Sequence, residues 1–211
     1  MSSDGVWAVD HLVTATPEQA LIDFEREVAL AFEAKKIRGP IHLNSETQAR
    51  PLIEIFKGIK RTDWVLSTWR SHYHALLHGV PRETLMRDIL AGKSMFLHYP
   101  EHRFMTSSIV AGLCSIACGL AAGGETVWCF VGDMAASTGT FHDAHEYALG
   151  HDLPVKFIIE DNGFSTNTPT REAWGTKGRD PSWWNHSRKI RSTYSYERTQ
   201  PHCGSGTYVA F

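Results

Sequence analysis

The chain has 211 residues, 42% of them hydrophobic and 21% charged. This length predicts one domain with an ordinary core and excludes wholesale disorder. A formal net charge of −2 gives no electrostatic case for nucleic acid or an acidic membrane as the main partner.

The first fifteen residues have no clear period and read as a short N-terminal arm, without the basic-then-apolar pattern of a secretory signal. Thr16 and Pro17 predict a helix start, as cap and first helical residue. Leu21, Phe24, Val28, Leu30 and Phe32 follow at roughly helical spacing until Arg38-Gly39-Pro40 ends the element. Asn44 or Ser45 caps a second helix, Glu46 to about Lys57. Asp63 to Trp69 reads as a short strand. Arg82 to Ala91 reads as a helix stopped by Gly92, and Leu97 to Met105 as a loop.

Ser107 to Ala122 is rich in small residues and predicts a nearly buried helix closed by Gly123-Gly124. The longest apolar stretch, Ile109 to Gly124, holds Ser115 and four glycines and is too short for a membrane span. Two near-continuous apolar runs follow, Thr126 to Val131 and Pro154 to Ile159, of the kind that forms strands buried on both faces. Between them, Thr138 to Gly150 is amphipathic, with Phe141, Ala144, Tyr147 and Ala148 on one face. This is a βαβ unit with a right-handed crossover. A last strand is expected over Lys189 to Tyr196, before a Pro-His-Cys-Gly-Ser-Gly turn. The class is α/β: a doubly wound, mainly parallel sheet with helices on both faces. Cys114, Cys118, Cys129 and Cys203 form no C-x-x-C pair and read as reduced, mostly buried thiols of a cytoplasmic protein.

Chemistry concentrates where the βαβ strands end. The first ends in Gly132-Asp133 and the second in Glu160-Asp161-Asn162. The carboxyl ends of strands form the ligand edge of open α/β sheets. Neighbouring strands lie about 4.8 Å apart, so Asp133 and Asn162 can share one small volume. One carboxylate and one amide oxygen suit Mg²⁺ completed by phosphate oxygens and water. Free N–H groups near Ala135 to Thr138 can receive a phosphate. The same residues also suit a plain turn and helix cap.

Gly132-Asp133-Met134-Ala135, followed 29 positions after Asp133 by Asn162, is similar to the thiamine diphosphate motif Gly-Asp-Gly…Asn. Gly139, Phe141, Ala144, Ala148, Leu153-Pro154 and Glu160 match as well. So do Lys36 to Gly39, His42-Leu43, Gln48-Ala49, Thr62-Asp63, Thr68 to His72, Gly79 and Ser108 to Val110. Over roughly Pro17 to Thr170 the chain resembles the alpha subunits of thiamine-diphosphate-dependent 2-oxoacid dehydrogenases, pyruvate dehydrogenase included, in a shortened form.

The resemblance implies roles residue by residue. Asp133, Asn162 and the backbone carbonyl of Phe164 would bind Mg²⁺, which holds the diphosphate. Arg70 would pair with a terminal phosphate oxygen, a task for a planar and permanently charged fork. Trp69 stands at a position usually held by Tyr and offers no hydroxyl. Gly132 belongs to the motif turn, and Met134 and Ala135 would give backbone N–H groups to the diphosphate. Ser108 and Val110 would touch the aminopyrimidine through the backbone. His42 and His72 would line the entry to the thiazolium as proton shuttle or substrate clamp. His202, near a late Tyr-x-Tyr stretch, joins them as a catalytic candidate. Two departures stand out: Met134 replaces the third motif glycine, and the family's chains run much longer beyond the Asn.

Thiamine chemistry also needs a carboxyl group on the pyrimidine nitrogen. In this family a beta-type subunit supplies that glutamate. The resemblance therefore implies a hetero-oligomer, a heterotetramer in the family's manner, with the cofactor bridging two chain types. The expected activity is cleavage of a 2-oxoacid with decarboxylation and transfer of the acyl or aldehyde unit. Alternatives are a split transketolase-like or carboligase subunit acting on a ketose, and a non-catalytic thiamine-binding scaffold. The 12 histidines read as a few active-site imidazoles plus surface or partner-facing ones, and His145-Glu146 lacks the second histidine of a zincin, since Leu149 stands there. Trp174, Trp183 and Trp184 read as an interface or core plug. The basic stretch Lys177 to Arg191 reads as a solvated loop or a grip on a phosphorylated substrate.

Overall fold

Helix α1 (Pro17–Glu33) starts as expected, with the Thr16 hydroxyl accepting from the Gln19 N–H at 3.2 Å. A computed structural model describes residues 16–175, 191–203 and 209–211. The N-terminal arm, Trp183, Trp184 and the basic stretch up to residue 190 lie outside the described residues. Leu21, Phe24, Glu25 and Val28 form the buried face of α1, while Leu30 is 65% exposed and departs from the expected apolar stripe. The helix also ends before Arg38. Lys35 takes a left-handed conformation (φ 57°), and the Lys35 and Lys36 amides donate to the carbonyls of Phe32 and Ala31. That closure satisfies the terminal carbonyls.

Helix α2 (Glu46–Phe56) and strand β1 (Trp64–Ser67) match the expected places. Helix α3 (His72–Leu77) is new, a short element hidden in a run of histidine and apolar residues. Helix α4 (Arg82–Leu90) follows as expected. The expected loop over Leu97 to Met105 holds β2 (His98–Tyr99) and β3 (Phe104–Thr106), an antiparallel pair around a 3₁₀ turn at Pro100–His102. Strands of two and three residues carry no readable period. Helix α5 (Gly112–Ala122) begins five residues later than expected, because Ala111 is left-handed (φ 56°). Then come β4 (Val127–Gly132), a 3₁₀ turn at Ala135–Ser137, α6 (Gly139–Gly150) and β5 (Val155–Asp161). A small hairpin, β6 (Phe164–Ser165) and β7 (Thr168–Pro169), leads to α7 (Thr170–Ala173). Strand β8 (Arg191–Ser195) lies within the expected last strand.

The main sheet has the order β2-β3-β1-β4-β5-β8, and all neighbours are parallel except β2 and β3. Both faces are covered. Val65, Phe104, Phe130 and Ile158 pack against α1 to α4, and Leu66, Cys129, Val131, Phe157 and Ile159 against α5 and α6. Both strands β4 and β5 are buried almost throughout, and their side chains alternate between the two cores because successive residues leave opposite faces. Each fully buried phenylalanine here contributes about 2 kcal/mol by leaving water. From β1 the chain goes to β3 on one side and returns to β4 on the other. That reversal opens a crevice at the carboxyl ends of β1 and β4.

Candidate active site

The loops after β1, β4, β5 and β8 meet in this crevice. It is lined by Thr68, Trp69 and Arg70 after β1, and by Gly132, Asp133, Met134 and Ala135 at the end of β4. Glu160, Asn162 and Phe164 to Thr166 come from the end of β5, and Tyr196, Arg198 and His202 from the chain after β8. Val110 and Ala111 close the remaining side. Most of the residues that the motif singled out therefore share one cleft. Ser108 is exposed beside the lining residues rather than among them.

Asp133 is 1% exposed, and among the described residues its Oδ2 has no hydrogen-bond partner. Burial, and then the neighbouring Asp161 carboxylate, push its pKa up to about 7. Such an atom is desolvated without compensation, which marks a place for a ligand. Asn162 shares the cleft. Its Oδ1 accepts from the Phe164 N–H at 2.9 Å and its Nδ2 donates to the Tyr196 hydroxyl at 2.9 Å. A carbonyl oxygen has two lone pairs, so Oδ1 retains capacity for a metal. An orphaned carboxylate oxygen beside an amide oxygen fits a hard divalent cation that keeps water or phosphate ligands. Among the described residues no cluster of three or more His, Cys, Asp or Glu forms a metal cage. The Thr170 side chain and the Met134 backbone pull the Asp133 pKa back down, against the effect of burial.

The opposite wall is cationic. Arg70 is 6% exposed, and its Nη1 donates to the Leu43 carbonyl at 2.6 Å. Among the described residues it forms no ion pair with a carboxylate. Burial lowers its pKa, and the Arg198 charge acts in the same direction. A buried guanidinium of this kind awaits an anion. Arg198 sits 4.5 Å over the Phe164 ring and donates to the Thr166 carbonyl.

The three candidate histidines divide: His202 alone lines the cleft, and His42, buried behind it, reaches the site only by stacking on His202. His42 and His202 stack at 4.3 Å between ring centroids, and Trp69 lies 6.0 Å from His42. Burial and then Arg70 pull His42 down to about 3. The same two causes, with Arg198, lower His202. Both imidazoles are neutral near pH 7 and act as hydrogen-bonding groups, not as cations. His72 is different and corrects the expectation. It is fully buried, its Nδ1 lies 2.9 Å from the Glu25 carboxylate and its Nε2 lies 3.0 Å from the Ser94 hydroxyl. A carboxylate at Nδ1 places the ring proton there, so Nε2 accepts from Ser94. The three residues have the order of a nucleophile–base–acid relay, but Ser94 is 1% exposed and His72 does not line the cleft. Its bonds tie Glu25 of α1 to Ser94.

Glu160 also lines the cleft, and its Oε1 accepts from Gln48 Nε2 (3.0 Å), His74 Nε2 (3.0 Å) and the Tyr194 hydroxyl. The sequence reading missed Thr68, Tyr196 and Arg198. The rule that strand ends line the edge, extended to β8, finds the last two.

The family model described as the dehydrogenase E1 component matches residues 17–179. The chain is 28% identical over 162 residues to the alpha subunit of an acetoin:2,6-dichlorophenolindophenol oxidoreductase from Bacillus subtilis, covering 69% of this chain and 48% of that protein. It is 28% identical over 163 residues to the pyruvate dehydrogenase E1 component subunit alpha of Porphyra purpurea, covering 66% of this chain and 47% of the relative. It is 29% identical over 144 residues to the mitochondrial 2-oxoisovalerate dehydrogenase subunit alpha of Mus musculus, covering 59% of this chain and 33% of the relative. The chain spans about half the length, or less, of these relatives. No helix among the described residues is long and apolar enough to cross a membrane.

Proposed function

The chain belongs to the dehydrogenase E1 component family, and from that premise we propose that it is the diphosphate-holding, alpha-type part of a thiamine-diphosphate-dependent enzyme. The observation that carries the reading is one cleft with two opposite unmet charges. Asp133, a buried carboxylate, and Arg70, a buried guanidinium, line the same space, and among the described residues one oxygen of the first has no hydrogen-bond partner and the second has no ion-pair partner. A divalent ion carrying a diphosphate answers both.

In this reading Asp133, Asn162 and the Phe164 carbonyl hold Mg²⁺. Arg70 pairs with a terminal phosphate oxygen, and the Ala135 amide donates to the diphosphate. Ser108 and Val110 meet the aminopyrimidine side through their backbones. Thiamine diphosphate, when bound, supplies the carbon nucleophile and electron sink for cleavage next to a carbonyl. The stacked His42 and His202 orient the donor and exchange protons with its oxygen as neutral groups. Trp69 shields that corner from water. The carboxyl group for the pyrimidine nitrogen comes from a beta-type partner in a heterotetramer of the cytoplasm. The donor is a 2-oxoacid such as pyruvate, and the likeness to an acetoin oxidoreductase subunit adds a hydroxyketone to the donors worth testing.

The test is co-expression with the beta-type chain, followed by a donor screen with thiamine diphosphate and Mg²⁺. Cofactor-dependent consumption of a 2-oxoacid or hydroxyketone is expected, lost in Asp133→Asn and absent from the isolated chain. Full turnover by the isolated chain, or turnover indifferent to Asp133→Asn, overturns the reading.

A further inference from the structure

The cation corner holds one more acid than the motif uses. Asp161 ends β5, in register with Ser195 of β8. Its backbone carbonyl accepts from the Tyr196 N–H at 2.9 Å, and its Oδ1 accepts from the Gly163 N–H at 3.0 Å. The Ser195 hydroxyl stands 3.5 Å from Oδ2. These bonds fix the carboxylate, and the β4–β5 register, with Gly132 opposite Glu160 and the Asp133 N–H donating to the Glu160 carbonyl at 3.2 Å, brings Asp133 alongside Asp161. Among the described residues neither acid forms an ion pair with a Lys, Arg or His. Two carboxylates in contact repel, and the orphaned Asp133 Oδ2 is buried and opens on the cleft. The pair has the charge and hardness that a divalent cation neutralises.

We propose that Asp161 is a second anionic arm of this site, so that the chain takes up a divalent ion by itself, before any diphosphate arrives. The inference rests on the reading of Asp133 as a cation ligand and deepens it. An ion held by one carboxylate and neutral oxygens depends on phosphate ligands to stay bound. A second carboxylate raises the charge of the site to −2 and removes that dependence. The order of assembly follows: ion first, diphosphate second.

The experiment titrates the purified chain with Mn²⁺ alone at pH 8, by water-proton relaxation and calorimetry, with and without thiamine diphosphate. One site is expected without the diphosphate. Asp161→Asn keeps an acceptor for the Gly163 N–H and so preserves the turn. It should weaken Mn²⁺ by about ten-fold, through loss of one ligand charge. In the absence of metal the same variant should melt at a higher temperature than the parent chain, because a like-charge contact is gone. A purely structural Asp161 would make the metal-free variant melt lower. Unchanged Mn²⁺ affinity in Asp161→Asn overturns the proposal. Mn²⁺ binding that appears only with thiamine diphosphate also overturns it, while leaving the cofactor reading intact. Mn²⁺ binding that no diphosphate strengthens upholds the proposal and sinks the cofactor reading.

Discussion

Under helix α1, Glu25, His72 and Ser94 are buried and bonded to one another, and the Asn44 N–H takes the remaining Glu25 oxygen at 2.8 Å. At the carboxyl edge of the sheet, Asp133 and His42 are buried to the same degree, yet Asp133 Oδ2 and His42 Nδ1 have no partner among the described residues. Depth is equal in the two regions, and only the completeness of hydrogen bonding differs. A satisfied buried network has nothing left to offer a ligand and acts by holding helices together. An unsatisfied one has lost water without a replacement, and a bound ion or substrate restores what is missing. The contrast separates His72 from His42, which the motif had treated alike.

Removing one partner from the satisfied network should have the largest effect. Glu25→Ala strands the His72 Nδ1 and the Asn44 amide in the core. Breaking a buried pair of this kind costs about 3–5 kcal/mol. Urea melts should show that loss, while Mn²⁺ affinity of the folded fraction stays within about two-fold of the parent. A large loss of metal affinity with intact stability would break the comparison, since Glu25 and His72 would then serve the site.

The unsatisfied region should answer to pH instead, with two signs. Asp133 is an acid raised from 3.8 to about 7, so the folded chain binds its proton more tightly than the unfolded chain does. Its contribution to stability is full below about pH 4 and is lost as pH rises to about 7. Metal-free Asp133→Asn should therefore exceed the parent in stability by a few kcal/mol at pH 8 and match it near pH 4. His42 is a base lowered from 6.5 to about 3. Its contribution is present above pH 6.5 and is lost as pH falls towards 3. His42→Asn should flatten that acid limb. Urea melts from pH 4 to pH 8 check both, and equal slopes in parent and variants would deny that these groups are strained by burial.

Much of this was legible in the residues because the βαβ unit is locally consistent. Two apolar runs, a capped amphipathic helix and polar strand ends all agree on one topology, and Thr138 does cap α6 through the Phe141 N–H. Asp133 and Asn162 were singled out by their places at strand ends and Arg70 by the family resemblance, and all three line the cleft. The structural standing of His72 was not readable. Its partners are 47 residues before it and 22 after it in sequence, and only the packing of α1 onto α3 and α4 joins them. Strands β2 and β3 were invisible because they are shorter than one period. Arg198 was invisible because it belongs to a loop, and the β8–β5 pairing alone brings that loop to the cleft.

The smallest effect concerns Met134, where the motif has glycine. Glycine is needed where φ is positive or where a Cβ meets an obstacle. Met134 satisfies neither condition, since its backbone is right-handed helical at φ −70° and ψ −34°. Its carbonyl accepts from the Ser137 hydroxyl at 2.7 Å, and its sulfur lies 3.4 Å from the same oxygen. Met134→Gly would add backbone freedom to the unfolded chain and remove that sulfur contact. The expected cost is about 1 kcal/mol or less. Affinity for Mg·pyrophosphate should change by less than about three-fold, because the backbone at 134 already takes a conformation open to any residue. A ten-fold gain in affinity would mean that the methionine side chain stands in the path of the anion. The cleft would then be shaped to admit less than a full diphosphate, and the division between the satisfied and unsatisfied regions would need a third member, a site that is polar but obstructed.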